Sequence, residues 1–326
     1  MTTRRALLAA TAAALPLSAA RAQRAWPERP IRMLVGYAPG GGVDIVARLL
    51  AEPLRAALGQ PVLVENRPGA GAMIAAQAVA RGADDGHTLL MAAAGEIAVN
   101  PSLFKQRMTY DPARELQGVA LVAAIPNVIV AHPSVPARSP AELLAYARAN
   151  PGKLSFASAG IGNPQHLAGE MLNRMAGTDI LHVPYRGSAP ALTDVAAGRV
   201  TLNFSSLGAA LPLIRDGRLH AIAVTSRERM PQLPEVPALA ETPGLESYEL
   251  VNWFGLFAPA AMPAANVERL HATVAAALRD RDMASKLAEQ GGLIRPMSAA
   301  EFRSFVGEET RKFARIVEEA DIRPEG

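Results

Sequence analysis

The chain of 326 residues contains no cysteine. This absence excludes disulfides, thiolate chemistry, metal sites with cysteine ligands and a lipid anchor attached to cysteine. Aromatic residues make up only 5% of the chain, whereas hydrophobic residues make up 50%, and alanine supplies much of that fraction. This composition favours helices packed on sheets and is unlike that of a disordered protein. A chain of this length without disulfides depends on its hydrophobic core for stability.

Motifs for catalysis and for metal binding are also absent from the sequence. It contains neither the G-x-S-x-G elbow of hydrolases nor the H-E-x-x-H motif of zinc enzymes. Five of the six histidines are scattered along the chain and are predicted to be surface or packing residues: His87, His132, His182, His220 and His271. We therefore predict no cofactor, no metal site and no enzymatic activity.

Residues 1–22 are predicted to be an export signal rather than part of the fold. An arginine pair, Arg4 and Arg5, precedes an apolar run over residues 6–20, and a small-x-small cleavage site ends at Ala22. The run is shorter than the ~20 residues that a membrane-spanning helix requires. We expect cleavage after Ala22 and export to the periplasm. One arginine pair is compatible with both the general secretory route and the twin-arginine route.

The predicted cleavage changes the charge balance of the chain. The whole sequence has 33 Lys and Arg residues against 30 Asp and Glu residues. Cleavage removes Arg4, Arg5 and Arg21, so 33 − 3 = 30 basic residues remain against 30 acidic ones. A formally neutral chain provides no basic surface for nucleic acid, and we predict no nucleic-acid partner.

Short β-like runs alternate with helical runs along the rest of the chain. A buried strand is predicted at residues 31–35, and apolar residues at helical spacing predict a helix over residues 43–58. The same alternation restarts at residues 128–130, whereas the C-terminal part from Asn266 onward is helical. Strands that alternate with helices indicate βαβ units and a mainly parallel sheet.

This layout predicts an α/β fold with two lobes. Lobe 1 is predicted to comprise residues 23–120 and 225–326, and lobe 2 to comprise residues 121–224. Because the chain crosses between the lobes twice, we expect a hinge of two crossing segments rather than a single flexible linker. The protein is predicted to act as a monomer.

The most informative local pattern is a glycine-rich segment between a predicted strand and a predicted helix. Its sequence is Tyr37-Ala38-Pro39-Gly40-Gly41-Gly42-Val43-Asp44. Consecutive glycines leave backbone amides uncovered, and the helix that follows directs the positive end of its dipole at the same place. The segment has neither the G-x-G-x-x-G spacing nor the P-loop lysine, so a carboxylate is favoured over a nucleotide. Taken alone, the segment is equally compatible with a tight turn that binds nothing.

A second glycine loop follows another predicted strand, with the sequence Ser158-Ala159-Gly160-Ile161-Gly162-Asn163-Pro164. Asn163 suits the N-cap of the next helix and Pro164 its first position. Ligands of open α/β sheets bind at the carboxyl ends of the strands. We therefore predict that the two loops face each other and hold one anion between the lobes, with Gln165 and His166 as further polar candidates.

Three polar side chains near these loops have two possible roles each. Asp44, in the first turn of its helix, either stabilises the helix start or accepts a hydrogen bond from a ligand. His166 either donates to a ligand carboxylate or has a structural role. Glu96 follows a predicted strand end, where a buried carboxylate would disfavour a second acidic group on the ligand.

Several blocks of the sequence resemble the tripartite tricarboxylate transporter receptors, also called Bug proteins, and in the same order. The resemblance covers nearly the whole predicted mature chain. The first glycine loop is one such block. The others are Trp26-Pro27-Glu28-Arg29-Pro30-Ile31, Val64-Glu65-Asn66-Arg67-Pro68-Gly69-Ala70-Gly71, Asn100-Pro101-Ser102-Leu103, Pro151-Gly152-Lys153-Leu154 and His182-Val183-Pro184-Tyr185-Arg186-Gly187.

The resemblance implies a type II periplasmic binding protein that closes like a Venus flytrap, and subunits of a membrane transporter as its partners. It also implies that both loops bind a ligand carboxylate, partly through backbone and ordered water. Tyr185 and the strand end Phe204-Ser205-Ser206 are implied to line the same cleft, with Ser205 as the residue of that strand end that contacts the ligand. Many relatives carry a longer side chain where this chain has Ser205 and Ser206, and a small hydroxylated residue where it has Glu96.

We therefore predict an extracytoplasmic solute-binding protein that captures a small carboxylate, either an organic acid or an amino acid, for a tripartite tricarboxylate-type transporter. Two alternatives use the same cleft. One is a ligand sensor for a signalling partner, and the other is an enzyme that processes a carboxylate. The absence of a nucleophile with its base argues against the enzyme.

Overall fold

The computed structural model describes residues 26–82, 85–319 and 321–323. The predicted signal peptide and its cleavage site lie outside these residues. The strands of the described chain are β1 (Ile31–Val35), β2 (Val62–Asn66), β3 (Thr88–Ala93), β4 (Leu116–Ala131), β5 (Ser155–Ser158), β6 (Leu181–Pro184), β7 (Leu202–Ser206), β8 (His220–Val224) and β9 (Val251–Pro259).

The helices follow the strands in the predicted alternation. They are α1 (Gly42–Leu58), α2 (Met73–Ala80), α3 (Asn100–Leu103), α4 (Pro112–Glu115), α5 (Pro140–Ala149), α6 (Pro164–Ala176), α7 (Ser188–Ala196), α8 (Leu207–Arg215), α9 (Ala264–Arg279), α10 (Arg281–Glu289) and α11 (Ala299–Glu319). A π-helical turn, Gly95–Val99, connects β3 to α3. Within the described residues, none of these helices combines the length and the apolar character that crossing a bilayer would require.

The strands form two sheets that share one long strand. The first sheet has the order β2-β1-β3-β9-β4, and the second contains β4, β7, β5 and β6, with β8 on the other side of β4. The first half of β4, up to Pro126, pairs with β9, and its second half pairs with β7 and β8. Strand β4 is therefore one of the two segments that connect the lobes.

The second connection lies beside the first. The Asn127 amide donates to Thr225 Oγ1 at 2.9 Å, and Thr225 Oγ1 donates to the Leu250 carbonyl at 2.7 Å. The Leu250 amide in turn donates to the Thr225 carbonyl at 3.0 Å. One buried threonine thus joins the outgoing strand to the returning chain, and this cluster is the structural hinge between the sheets.

The segment between β8 and β9 packs on the second sheet. Leu233 and Val236 belong to the same buried cluster as Val128 of β4, and Tyr248 donates to the Ala168 carbonyl of α6 at 2.7 Å. The sequence analysis assigned this segment to lobe 1. The lobe bounds given there, residues 23–120 with 225–326 and residues 121–224, stay a prediction.

Helix α1 shows why the first lobe folds locally as the sequence predicts. Its buried residues recur every three or four positions, including Val43, Val46, Leu50 and Leu54, so one face packs on the first sheet. The helix ends at Gly59, whose φ of 72° lies in the left-handed region that favours glycine.

The C-terminal helices α9 and α10 pack on the same sheet, as expected for a part of the chain without strands of its own.

Candidate functional site

The first glycine loop presents backbone amides at the start of α1. Gly41 is the N-cap, and no side chain of the described residues caps the first turn of this helix. The first N–H groups of an α-helix have no carbonyl partner within the helix, so those of Gly42, Val43 and Asp44 are open to a ligand. The Ile45 amide already donates to the Gly41 carbonyl at 3.0 Å. Gly40, with φ of 80°, bends the chain into this position.

Asp44 holds this loop in place from within. Its side chain is buried; Oδ2 accepts a hydrogen bond from the Gly40 amide at 2.9 Å, and Oδ1 accepts one from Asn66 Nδ2 at 2.9 Å. Arg48 Nε also donates to the carboxylate, at 3.0 Å. Burial raises the pKa of Asp44, but the hydrogen bonds from Arg48, Gly40 and Asn66 outweigh it, and the net pKa is lowered. The carboxylate is ionised and directed into the loop, which favours the stabilising role over ligand contact.

We expect Asp44→Asn to lower the free energy of unfolding at pH 7 by about 1–3 kcal/mol, since Arg48 loses its partner and the loop loses an acceptor. Because the pKa of Asp44 is lowered in the folded state, the ionised carboxylate adds to the free energy of unfolding when the pH is above the ordinary carboxyl pKa. This contribution is lost as the pH falls below the ordinary value and through the lowered pKa of the folded state. The difference between variant and wild type, measured by urea unfolding, should therefore narrow in acid.

Asp282→Asn is the matched control for this prediction. Asp282 is exposed and pairs with Lys286 one turn along α10. An exposed pair of this kind contributes about 0.5 kcal/mol or less. Equal losses of stability in the two variants would contradict the role assigned to Asp44.

The second glycine loop differs from its expected form, because its own side chains occupy most of its amides. The Ala159 amide donates to Gln165 Oε1 at 2.8 Å, the Gly160 amide to Ser158 Oγ at 3.2 Å and the Gly162 amide to His166 Nδ1 at 3.3 Å. Asn163 caps α6 by accepting from the Gln165 amide at 2.9 Å. This loop therefore offers side-chain amides rather than a row of free peptide N–H groups.

The two loops enclose a small cavity between the lobes. Its volume is about 10 Å³, which is the space available to the centre of about one water molecule. The lobes are closed on each other here, since the Ala38 amide donates to the Arg186 carbonyl across the cleft at 3.0 Å. A carboxylate needs more room, so the lobes must separate to admit one. The lining residues are Tyr37, Gly41, Gly42, Val43, Ala159, Asn163, Gln165, Ser188, Ser206, Asn252 and Phe254.

Helix N-termini surround this cavity. Gly42 begins α1, Gln165 lies in the first turn of α6, Ser188 begins α7 and Ser206 is the N-cap of α8. Each helix carries roughly half a positive charge at this end. None of the lining residues is Asp, Glu, Lys, Arg or His. Peptide dipoles rather than charged side chains are therefore the groups of the cavity lining that favour a small anion.

Ser206 provides a buried hydroxyl that has no hydrogen-bond partner among the described residues. The residue is 4% exposed, and its Oγ neither donates nor accepts a hydrogen bond there. Such buried groups are costly unless they are paired, so each one in a folded protein requires an explanation. A ligand oxygen in the cavity would supply the acceptor that this hydroxyl lacks.

The predicted site residues that line the cavity are Tyr37, Gly41, Gly42, Ala159, Asn163 and Gln165. Gly160 and Tyr185 instead line a wider groove of about 760 Å³, which Tyr37 also lines. Ser205 donates to the Ser206 carbonyl at 3.1 Å and is not among the residues that line the cavity. Ala38, Pro39 and Gly40 shape the first loop without lining the cavity. The ligand contacts of all these residues stay predictions.

Ser158 and His166 lie beneath the second loop rather than in the cavity. The imidazoles of His166 and His182 stack with their centroids 4.0 Å apart, and His182 Nε2 lies 2.7 Å from Ser158 Oγ. Burial lowers the pKa of His166 to about 4, and burial together with His166 lowers the pKa of His182 to about 3. Both rings are neutral at pH 7, and His166 accepts the Gly162 amide. This geometry supports the structural role.

Glu96 lies behind Tyr37. Its Oε2 accepts a hydrogen bond from Tyr37 Oη at 2.7 Å, and its Oε1 accepts one from the Ala93 amide at 3.0 Å. The side chain is fully buried, and burial raises the pKa of Glu96 to about 7. Tyr37 therefore lies between the Glu96 carboxyl and the cavity.

Sequence reasoning missed Ser188, Asn252 and Phe254. Ser188 follows Gly187 at a third strand-to-helix turn, and this pattern is visible in the sequence. Asn252 and Phe254 come from β9, which returns to the first sheet between β3 and β4. Their place in the cavity depends on that long-range pairing, which no local pattern indicates.

Among the residues that the structure describes, no cluster of three His, Asp or Glu side chains could hold a metal ion.

Comparison with known proteins relates this geometry to a family. The model of the tripartite tricarboxylate transporter family receptor matches residues 46–322. Protein BugT of Bordetella pertussis is 35% identical over 295 residues, which are 90% of each chain.

Two solved structures are similar over nearly their whole length. Rpa4515 of R. palustris with adipate is 36% identical, covers 92% of this chain and 100% of its own, and has a TM-score of 0.89. MatC of Rhodopseudomonas palustris with bound malate is 33% identical, covers 89% of this chain and 99% of its own, and has a TM-score of 0.84. The predicted α/β fold of a two-lobed periplasmic binding protein is confirmed.

Proposed function

Because the chain belongs to the tripartite tricarboxylate transporter receptor family, we propose that it is an extracytoplasmic solute-binding protein that captures a small carboxylate for a transporter of that type. The family resemblance predicted from the sequence blocks is confirmed. The observation that carries the proposal is the cavity between the lobes, where helix N-termini converge and no charged side chain is present.

The proposed cycle follows from this geometry. With the lobes apart, a carboxylate binds to the free amides at the start of α1. Closure then brings Asn163, Gln165 and Ser206 of the second lobe to the same anion. A ligand that contacts both lobes favours the closed state by its differential affinity for the two states. Adipate and malate, which the two R. palustris proteins hold, are the first ligands to test.

The cellular setting is part of the proposal. Export to the periplasm after cleavage at Ala22, a monomeric protein and delivery to membrane transporter subunits are all consistent with membership of a receptor family. Binding without chemistry is proposed as well, since the cavity lining contains no histidine, carboxylate or lysine that could act as a base. Signalling through a sensor partner would use the same cavity and is distinguished by the partner that the closed form binds.

A thermal-shift screen of carboxylates with native mass spectrometry tests this proposal. A ligand at 100 times its Kd should stabilise the protein by about 2.7 kcal/mol. Adipamide is the matched control for adipate because it has the same chain length without charge, and we expect it not to bind. Stabilisation by the diamide, or a recovered ligand with a changed mass, would contradict carboxylate capture without turnover.

A further inference from the structure

Glu96 is a buried acidic group that the proposed binding step does not use. It lies on the π-helical turn between β3 and α3, and the residue is 0% exposed. Its carboxyl accepts hydrogen bonds from uncharged donors: Tyr37 Oη, the Ala93 amide and its own backbone amide. No Lys, Arg or His of the described residues forms an ion pair or hydrogen bond with its carboxyl. Insertions of this helical type are frequent at functional sites.

The same turn lies at the seam where the lobes meet. A Cβ atom at Gly95 would come within 3.1 Å of both the Gly162 carbonyl oxygen of lobe 2 and Tyr37 Oη. Tyr37, which touches Glu96 on one side, lines the anion cavity on the other. One tyrosine therefore separates a buried carboxyl from the place where a carboxylate ligand would bind.

The other titratable groups around this turn provide no compensating positive charge at Glu96. Tyr110 donates to the Glu96 carbonyl at 2.6 Å, and burial raises its pKa. Burial keeps His166, at the start of α6, neutral at pH 7. On α11, which packs against the turn, Glu309 pairs with Lys312 at 3.4 Å, and Arg303 and Arg311 line a pocket together with Ile97 of the turn.

We propose that Glu96 takes up one proton when the lobes close on a carboxylate, and that it is a positioning residue for the Tyr37 hydroxyl. This inference rests on the proposed function. When Glu96 is ionised, the Tyr37 hydroxyl donates its hydrogen bond to Glu96 Oε2 and cannot donate to a ligand. When Glu96 is protonated, its own O–H donates to Tyr37 Oη, and the Tyr37 proton is free to point into the cavity. The proton comes from solvent on binding and returns to solvent on release.

The direction of the pH dependence follows from burial, which raises the pKa of Glu96 to about 7. Below this pH the group is already protonated, and a carboxylate binds without further proton uptake. Above it, binding requires a proton, because two negative charges in a poorly solvated site repel each other and raise the pKa further. Affinity should therefore fall as the pH rises above about 7.

Calorimetric titration of the wild-type protein tests the inference at pH 6.5 and 8.5. The probe is whichever of adipate, malate and benzoate binds most tightly at pH 6.5, since all three are essentially ionised over this range. With a pKa of about 7 and one proton taken up on binding, we expect Kd to rise roughly 25-fold between the two pH values. Titrations in buffers of different ionisation enthalpy should give nearly one proton taken up per ligand at pH 8.5, and far less at pH 6.5.

The variant Glu96→Gln tests whether Glu96 causes the pH dependence of Kd. We expect its Kd to be the same at both pH values and close to that of the wild type at pH 6.5. Glu309→Gln removes another buried carboxylate of lobe 1 and should keep the wild-type pH dependence. A pH-independent Kd in the wild type, or a pH dependence that persists in Glu96→Gln, would overturn the inference. If Glu96→Gln does not fold, the number of protons that the wild-type protein takes up per ligand at pH 8.5 tests the inference by itself.

These outcomes separate the inference from the proposed function. If none of the three probes binds at pH 6.5, the proposed function fails and this inference fails with it. Binding at pH 6.5 without proton uptake at pH 8.5 overturns the inference alone.

Discussion

Replacing Gly42 by alanine is expected to weaken carboxylate binding by about 5- to 150-fold while the fold stays intact. A Cβ at this position would lie 2.6 Å from Ser206 Oγ, 2.9 Å from Ser206 Cβ and 3.2 Å from the Phe254 ring. Ser206 belongs to the other lobe, so the added methyl group acts as a wedge against closure. Overpacking of this kind costs about 1–3 kcal/mol, which sets the expected range of Kd.

The neighbouring glycine provides the control for this steric effect. A Cβ at Gly41 would lie 3.6 Å from the Ala38 carbonyl oxygen and 3.7 Å from Ser188 Cβ, which are ordinary contacts. Gly41→Ala should therefore keep near wild-type affinity, whereas a bulky side chain at Gly41 is expected to abolish binding by filling the cavity. Calorimetric titration measures Kd, and small-angle scattering measures closure. If Gly41→Ala and Gly42→Ala lose affinity equally, the wedge is the wrong explanation.

Replacing Ser206 by alanine is expected to weaken binding by roughly 10- to 150-fold, because a hydrogen bond to a charged group contributes about 1.5–3 kcal/mol. The free energy of unfolding of the ligand-free protein should rise slightly or stay the same. Ser206 Oγ has no partner among the described residues, so its removal leaves no other group unpaired. Loss of affinity without loss of stability is the signature of a hydroxyl that is reserved for a ligand.

Ser205→Ala is the matched control for Ser206→Ala. The two serines are adjacent and both are buried, but Ser205 donates to the Ser206 carbonyl. We expect Ser205→Ala to change Kd by less than about threefold, and urea unfolding of both variants measures the stability. A larger loss of affinity for Ser205→Ala than for Ser206→Ala would move the ligand contact to Ser205, where the sequence analysis placed it.

Local patterns predicted most of the elements on which the site is built. The strand at residues 31–35 and the helix over residues 43–58 match β1 and α1, because apolar spacing reports directly on which face of an element is buried. Asn163 and Pro164 were placed correctly at the start of α6, since capping depends on neighbouring residues only. Strand β4 was predicted only in its second half, because its first half derives its extended form from pairing with β9.

The amino-acid sequence by itself determined the glycine turns, the helix starts behind them and the family to which they belong. These features depend on backbone freedom and on contacts between near neighbours, which a local pattern specifies. Only the tertiary structure decided that Glu96 lies behind Tyr37, that Ser206 rather than Ser205 faces the cavity and that Asn252 completes the lining. Each of these depends on strand order and on lobe closure, which join residues far apart in the chain. The direction in which a side chain points at such a junction is set by packing.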